Sequence, residues 1–249
     1  MLGYDESGRG SVLLLVHGFP LDRRMWAAQL AGLSDTARVV AVDLRGRGKS
    51  PSNETSWSLD DHADDLAETI EALGVQQADV AGLSMGGYVA FALLRRFPKM
   101  VRRLILADTR SAADPEAIRE GRLRTAALIR SSGVAAMLPK ELPRLMASSA
   151  SEELKATARL MFKETPSATG VADTLAMRNR PDSTPDLAEI KVPVLVLHGN
   201  QDATVPIDQA KQMAGKIPGS KFVAVAEAGH LSPMENPTQV NDAVREFLA

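Results

Sequence analysis

After Ser11, the stretch Val12-Leu13-Leu14-Leu15-Val16 is apolar at every position. A strand with one wet face alternates apolar and polar residues, whereas an uninterrupted run suits a parallel strand covered on both faces. Comparable runs recur at Arg38 to Val42, Asp79 to Leu83, Arg103 to Ala107, Pro193 to Leu197 and Lys221 to Val225. Between them lie helix-like stretches: Asp22 to about Gly32, Leu59 to Leu73 closed by Gly74, Tyr88 to Phe97 stopped by Pro98, Ile207 to Gly215, and Pro237 to Leu248. Leu2 to Ser7 reads as one short edge strand, turned by Gly8 to Gly10. Strands alternating with helices imply right-handed crossovers, so the expected class is α/β, a mostly parallel sheet with helices on both faces.

The alternation breaks once. From Thr109 to Asp186 the strand signal is absent, while Asp114-Pro115, Ser151-Glu152-Glu153 and Ser167 look like helix starts. This predicts a helical cap over 109–186, inserted between core segments 1–108 and 187–249. The cap has four methionines, Met137, Met146, Met161 and Met177, and Phe162 as its one aromatic residue.

A net charge of −2 offers nothing to nucleic acid or an anionic membrane. With no cysteines, disulfides and thiolate metal sites are excluded, and a reducing cytoplasm is the expected compartment. Nothing resembles a signal peptide, and no apolar run approaches the ~20 residues of a membrane span.

The chemistry centres on Gly82-Leu83-Ser84-Met85-Gly86-Gly87, a G-x-S-x-G stretch with an apolar run before it and a helix after it. That setting suits a sharp strand-to-helix turn that exposes the serine hydroxyl. Ligands of open α/β sheets sit beyond the carboxyl ends of the strands, where Ser84, Asp202 and His230 all fall. A serine hydroxyl needs a base, histidine can take and return the proton, and a carboxylate fixes the imidazole tautomer. Asp108, also just past a strand, is the rival for the acid.

These stretches, with His17-Gly18-Phe19-Pro20, Asp43-Leu44-Arg45-Gly46-Arg47-Gly48-Lys49-Ser50, His198-Gly199-Asn200-Gln201-Asp202 and Ala228-Gly229-His230, resemble the α/β-hydrolase superfamily over essentially the whole chain. The nearest-looking branch holds small esterases, enol-lactonases and haloperoxidase-like perhydrolases. The resemblance implies an α/β-hydrolase fold with a helical cap, catalysis by Ser84, Asp202 and His230, and an oxyanion hole from the backbone N–H groups of Phe19 and Met85. It implies no cofactor and no metal. The implied partner is a small-molecule ester or lactone.

Phe19, Met137, Met146 and Met161 are the candidate pocket wall, with methionines adapting to varied aliphatic groups. Acyl chains of about two to eight carbons follow on a burial argument. Arg110, Arg122 and Arg124 are candidates for meeting an anionic substrate, as in an enol-lactonase. Perhydrolysis, or a ligand receptor on a retained hydrolase fold, are the remaining alternatives. Of the other histidines, His17 is expected to hold the oxyanion loop, His198 to support the Asp202 loop, and His62, among Asp61, Asp64 and Asp65, to be solvated. Asp43 and Arg45 are expected to pair. Asp108 is expected to bind the start of the cap.

Overall fold

The computed structural model describes residues 1–249. Seven strands form one sheet: β1 (Tyr4–Ser7), β2 (Val12–Val16), β3 (Arg38–Val42), β4 (Ala78–Leu83), β5 (Val101–Ala107), β6 (Val194–Gly199) and β7 (Lys221–Val225). Their spatial order is β1-β3-β2-β4-β5-β6-β7, with β1 antiparallel to β3 and every other pair parallel. The core helices are α1 (Ala27–Gly32), α2 (Leu59–Ala72), α3 (Met85–Arg96), α8 (Ile207–Lys216), α9 (Ser232–Glu235) and α10 (Pro237–Leu248). Between β5 and β6 lie four more: α4 (Glu116–Ser132), α5 (Leu138–Leu145), α6 (Glu152–Glu164) and α7 (Ser167–Asn179). No helix is long and apolar enough to cross a membrane.

The apolar runs of β2, β4 and β6 are buried because both faces of the sheet are covered there, whereas the edge strand β7 buries only Val225 and does not share the double cover its sequence suggests. Val12, Leu14 and Val16 belong to an apolar cluster shared with residues of α2, α3 and α8, while Leu13 and Leu15 belong to a second one shared with α10 and with Ile129, Met161 and Phe162 of the cap. The chain goes from β2 to β3 on one side, then returns to place β4 on the other side of β2. This reversal opens a crevice at the carboxyl ends of β2 and β4, where a doubly wound sheet binds its ligand.

The cap is tied to the core by polar contacts. Thr165 Oγ1 donates to Pro20 O (2.8 Å), and Thr169 Oγ1 donates to Gly46 O (2.9 Å). Asp173 of α7 is fully buried and accepts from Trp57 Nε1 (2.6 Å) and His62 Nε2 (2.9 Å), with the Arg47 guanidinium at 2.5 Å.

Several local expectations are corrected here. His62 is not solvated; α2 turns it under the cap, away from its acidic neighbours, and it is fully buried. Asp43 does not pair with Arg45. It receives Arg23 and the Lys49 N–H, while Arg45 reaches outward to Asp65 (2.7 Å) and Glu54 (2.6 Å). Asp114 is not a helix cap: α4 starts after Pro115 with no side-chain cap, and the Asp114 carboxylate is taken by arginines.

Burial would raise the Asp173 pKa, but Arg47 and the His62 and Trp57 hydrogen bonds hold it well below the ordinary carboxylate range. A lowered folded-state pKa adds stability above the unfolded value, and that stability is lost as pH falls. Asp173→Ala should leave the buried Arg47 charge unpaired and cost about 3–5 kcal/mol. The urea midpoint at neutral pH measures this, and a shift within experimental error would refute the assigned role of the pair.

Candidate active site

Ser84 sits between β4 and α3 with φ 53° and ψ −111°, a left-handed conformation strained for any residue with a Cβ. It is held there by its N–H on Ala107 O (2.9 Å) and by Thr109 Oγ1 donating to its carbonyl (2.8 Å). The turn is tight enough that a Cβ at Gly82 would collide with the backbone of Gly86. A side chain at Gly82 would force β4 and α3 apart, and one at Gly86 would collide with the Val16 and His17 backbone at the end of β2.

Register brings the other ends alongside. Ala107 of β5 pairs with both Leu83 and Leu197, and Gly199 of β6 pairs with Val225 of β7. The loops beyond these ends deliver one hydrogen-bonded chain: Ser84 Oγ to His230 Nε2 at 2.8 Å, then His230 Nδ1 to Asp202 Oδ2 at 2.7 Å. A carboxylate only accepts, so Nδ1 carries the proton and Nε2 presents its lone pair to the serine hydroxyl.

Burial alone would raise the Asp202 pKa, but attraction and a hydrogen bond from His230, with the N–H groups of Val205 and Thr204, bring it below the ordinary value. His230 is opposed by burial too, yet Asp202, Asp108 and Glu235 raise it above 6.5. The pair therefore stabilises an imidazolium as it forms.

The Asp108 carboxyl hydrogen-bonds neither His230 nor the entry loop of the cap. Its carboxyl accepts from Gly199 N–H (2.8 Å) and from Ser232 Oγ (2.5 Å) and N–H (3.2 Å), bracing the loops after β6 and β7. Burial and the Asp202 charge push it up to about 8, so it is neutral at pH 7. His198 Nε2 donates to Val205 O (2.8 Å), fixing the Asp202 loop, and burial lowers its pKa. His17 accepts from Leu44 N–H at Nε2 (3.0 Å), with Nδ1 3.0 Å from Gly18 O. Burial and the Arg47 charge lower its pKa to about 4, so it too is neutral.

The N–H groups of Phe19 and Met85 begin loops on adjacent strands, β2 and β4, which pair Val16 with Gly82. Neither N–H donates to any backbone or side-chain acceptor of the chain. Met85 is the first residue of α3, so its N–H also carries the positive end of the helix dipole.

Ser84 and His230 open into a cavity of about 150 Å³. Larger clefts, of about 330 and 390 Å³, lie elsewhere and contain none of the three residues. Phe19 and Met137 line the cavity, whereas Met146 and Met161 pack into the core beneath it. Met177, Phe162, Leu145 and Tyr88 complete the apolar wall. Tyr88 was legible in principle, being one helical turn after Ser84.

Arg110 and Arg122 line the same cavity, but Arg124 is 73% exposed and pairs with Glu120. Asp114 receives Arg110 (2.6 Å), Arg122 (2.5 Å) and Arg180 (2.8 Å). Three guanidiniums share one carboxylate there, and Glu141 is the one acidic residue lining the cavity, so positive charge outnumbers negative beside it. Arg180 also lies 4.1 Å from the centre of the Tyr88 ring.

Known proteins share this architecture. A thermophilic esterase from Thermogutta terrifontis, solved with malate bound, superposes with a TM-score of 0.96 at 41% identity, covering 99% of this chain and 92% of that one. The enol-lactonase from Burkholderia xenovorans superposes with a TM-score of 0.91 at 28% identity, covering 99% and 96%. The AB hydrolase superfamily protein YisY of Bacillus subtilis is 29% identical over 251 residues, 98% of this chain and 93% of its own length. Residues 11–237 match the family model for the alpha/beta hydrolase fold, and with the sheet order and cap described above this makes the chain a member of the α/β-hydrolase family.

Proposed function

We propose that the chain is a carboxylesterase that cleaves esters of small to medium acyl groups through an acyl-Ser84 intermediate. The observation that carries this reading is the unbroken chain from Ser84 Oγ through His230 to Asp202, opening into a cavity whose wall mixes apolar residues such as Phe19, Met137 and Met177 with polar ones such as Thr125 and Glu141. Ser84 Oγ attacks the ester carbonyl while its proton passes to His230 Nε2. The oxyanion is received by the free N–H groups of Phe19 and Met85. His230 returns the proton to the departing alkoxide, then takes one from the water that frees the acid. Asp202 holds the tautomer and the imidazolium throughout.

A second reading draws on the arginines. Asp114 is held far below the ordinary carboxylate range: burial alone would raise it, and Arg180 and Arg122 more than reverse that. It stays charged yet neutralises only one of three guanidiniums. A substrate bearing its own carboxylate, such as an anionic ester or enol-lactone, would fit that excess.

Ser84→Ala should lower kcat by about 10⁴-fold or more with the fold intact. Asp202→Asn should lower it by about 10³–10⁴-fold through the wrong tautomer, and Asp108→Asn, which imitates an already neutral carboxyl, by far less. If Asp108→Asn is the more damaging of the two, the acid has been misassigned.

The base must be neutral to work, so kcat/KM should rise with pH through a midpoint above the ordinary histidine value of 6.5. A profile flat from about pH 5 to 8 would contradict a histidine base.

A cavity of about 150 Å³ is below the ~300–1,000 Å³ of sites for drug-sized ligands, so p-nitrophenyl esters of about two to four acyl carbons should be the best of that series. A long-chain optimum would exclude the closed pocket. Arg122→Gln should cut kcat/KM for a half-ester or anionic enol-lactone by roughly 10–100-fold and leave neutral esters nearly unchanged. Equal effects on both would remove the second reading.

A further inference from the structure

A single carboxylate joins the cap to the histidine loop. Glu235 closes α9, and its Oε1 accepts from Gly229 N–H (3.1 Å) and Leu231 N–H (3.2 Å), the residues on either side of His230. Its Oε2 accepts from Ala147 N–H (2.7 Å), in the segment that follows α5. Gly229 makes the approach possible, because a Cβ there would stand 2.7 Å from Ala147 N and 2.9 Å from the Met146 carbonyl carbon. Three residues before Ala147, Arg144 O accepts from Thr204 Oγ1 (3.2 Å), and Thr204 N–H in turn binds Asp202 Oδ1 (2.7 Å). Arg144–Ala147 thus lies across the loops of both Asp202 and His230, and Leu145 within it lines the cavity.

A carboxylate with three backbone donors is a rigid fixture, and a half-buried one acts on its neighbours through a field only partly screened by water. We propose that Glu235 is a positioning residue: it sets the place and basicity of His230 and makes both depend on how the Arg144–Ala147 segment of the cap is seated. This rests on reading Ser84 and His230 as nucleophile and base. The charged or titratable groups that face His230 are Asp202 from the loop after β6, Asp108 from the loop after β5, and Glu235 from α9, with buried His198 beside Asp202. Asp202 leads in raising His230; Asp108 is itself pushed towards its neutral form, and Glu235, whose own pKa burial raises, adds the smallest share.

The test is a pair of variants followed by full pH profiles of kcat and KM, beside the wild type and Ser84→Ala. Glu235→Gln keeps the shape and the acceptor for Gly229 and Leu231 N–H, and loses the charge and the acceptor for Ala147 N–H. The acid limb of kcat/KM should move down by about half a pH unit, with the plateau kcat kept within about five-fold. Glu235→Ala loses the acceptors as well. Its plateau kcat should fall roughly 10–100-fold while KM changes less than about three-fold, as misplacement of a reacting group does. A purely structural role would lower thermal stability and leave the acid limb where it is. An unmoved limb in Glu235→Gln, or an undiminished plateau in Glu235→Ala, overturns the proposal. Full activity in Ser84→Ala would instead overturn the underlying reading, whatever the Glu235 variants do.

Discussion

The site depends on one strained residue. Ser84 stands at φ 53°, a conformation costing of order 1–3 kcal/mol for a residue with a side chain. That cost is met by the sheet: Ala107 takes the Ser84 N–H, Thr109 holds its carbonyl, and β2 and β5 clamp β4 on both sides. The same twist that strains the backbone exposes Oγ beyond the strand end and leaves the Met85 N–H pointing out of α3. Ser84 Oγ and the Met85 N–H, the proposed nucleophile and oxyanion donor, are therefore products of one turn. They cannot be optimised separately, because relaxing Ser84 would move both.

Around that turn, charge is distributed so that little of it is wasted. Of the buried titratable groups, His17 and Asp108 are neutral at pH 7 and serve as hydrogen-bonding struts. Asp202 and His230 retain a coupled proton, because their burial is outweighed by mutual attraction. Two further carboxylates, Asp114 and Asp173, stay ionised against arginines. The first supports the cavity wall and the second the seam between cap and core. Low-dielectric surroundings make each of these pairings consequential, since a lone buried charge is far more costly than a paired one.

The sheet was readable because both of its faces are covered, which writes uninterrupted apolar runs into β2, β3 and β6. The three residues beyond the strand ends were readable for the same reason: each follows such a run within a few positions. Side-chain partners across the fold were not. His62 looks solvated among Asp61, Asp64 and Asp65, because nothing local reveals that Asp173, more than a hundred residues later, will cover it. Asp114 before Pro115 has the local form of a cap, but Arg110, Arg122 and the distant Arg180 compete for its carboxylate and win. The methionines divided by depth: α5, α6 and α7 bury Met146 and Met161 and leave Met137 and Met177 at the cavity, a choice set by helix packing that periodicity alone does not express.

The cap is pinned along opposite margins. On one side Thr165, Thr169 and Asp173 hold the loops after β2 and β3; on the other, Arg144 and Ala147 hold the loops after β6 and β7. A roof fastened on both sides has no free edge about which to hinge. Swinging it open would break the buried Asp173 contacts or pull on the histidine loop itself. Selection of substrate then becomes a matter of fitting through a fixed aperture, not of triggering a closure. On the proposed reading as an ester hydrolase, release of the product acid would not wait on the opening of such a gate.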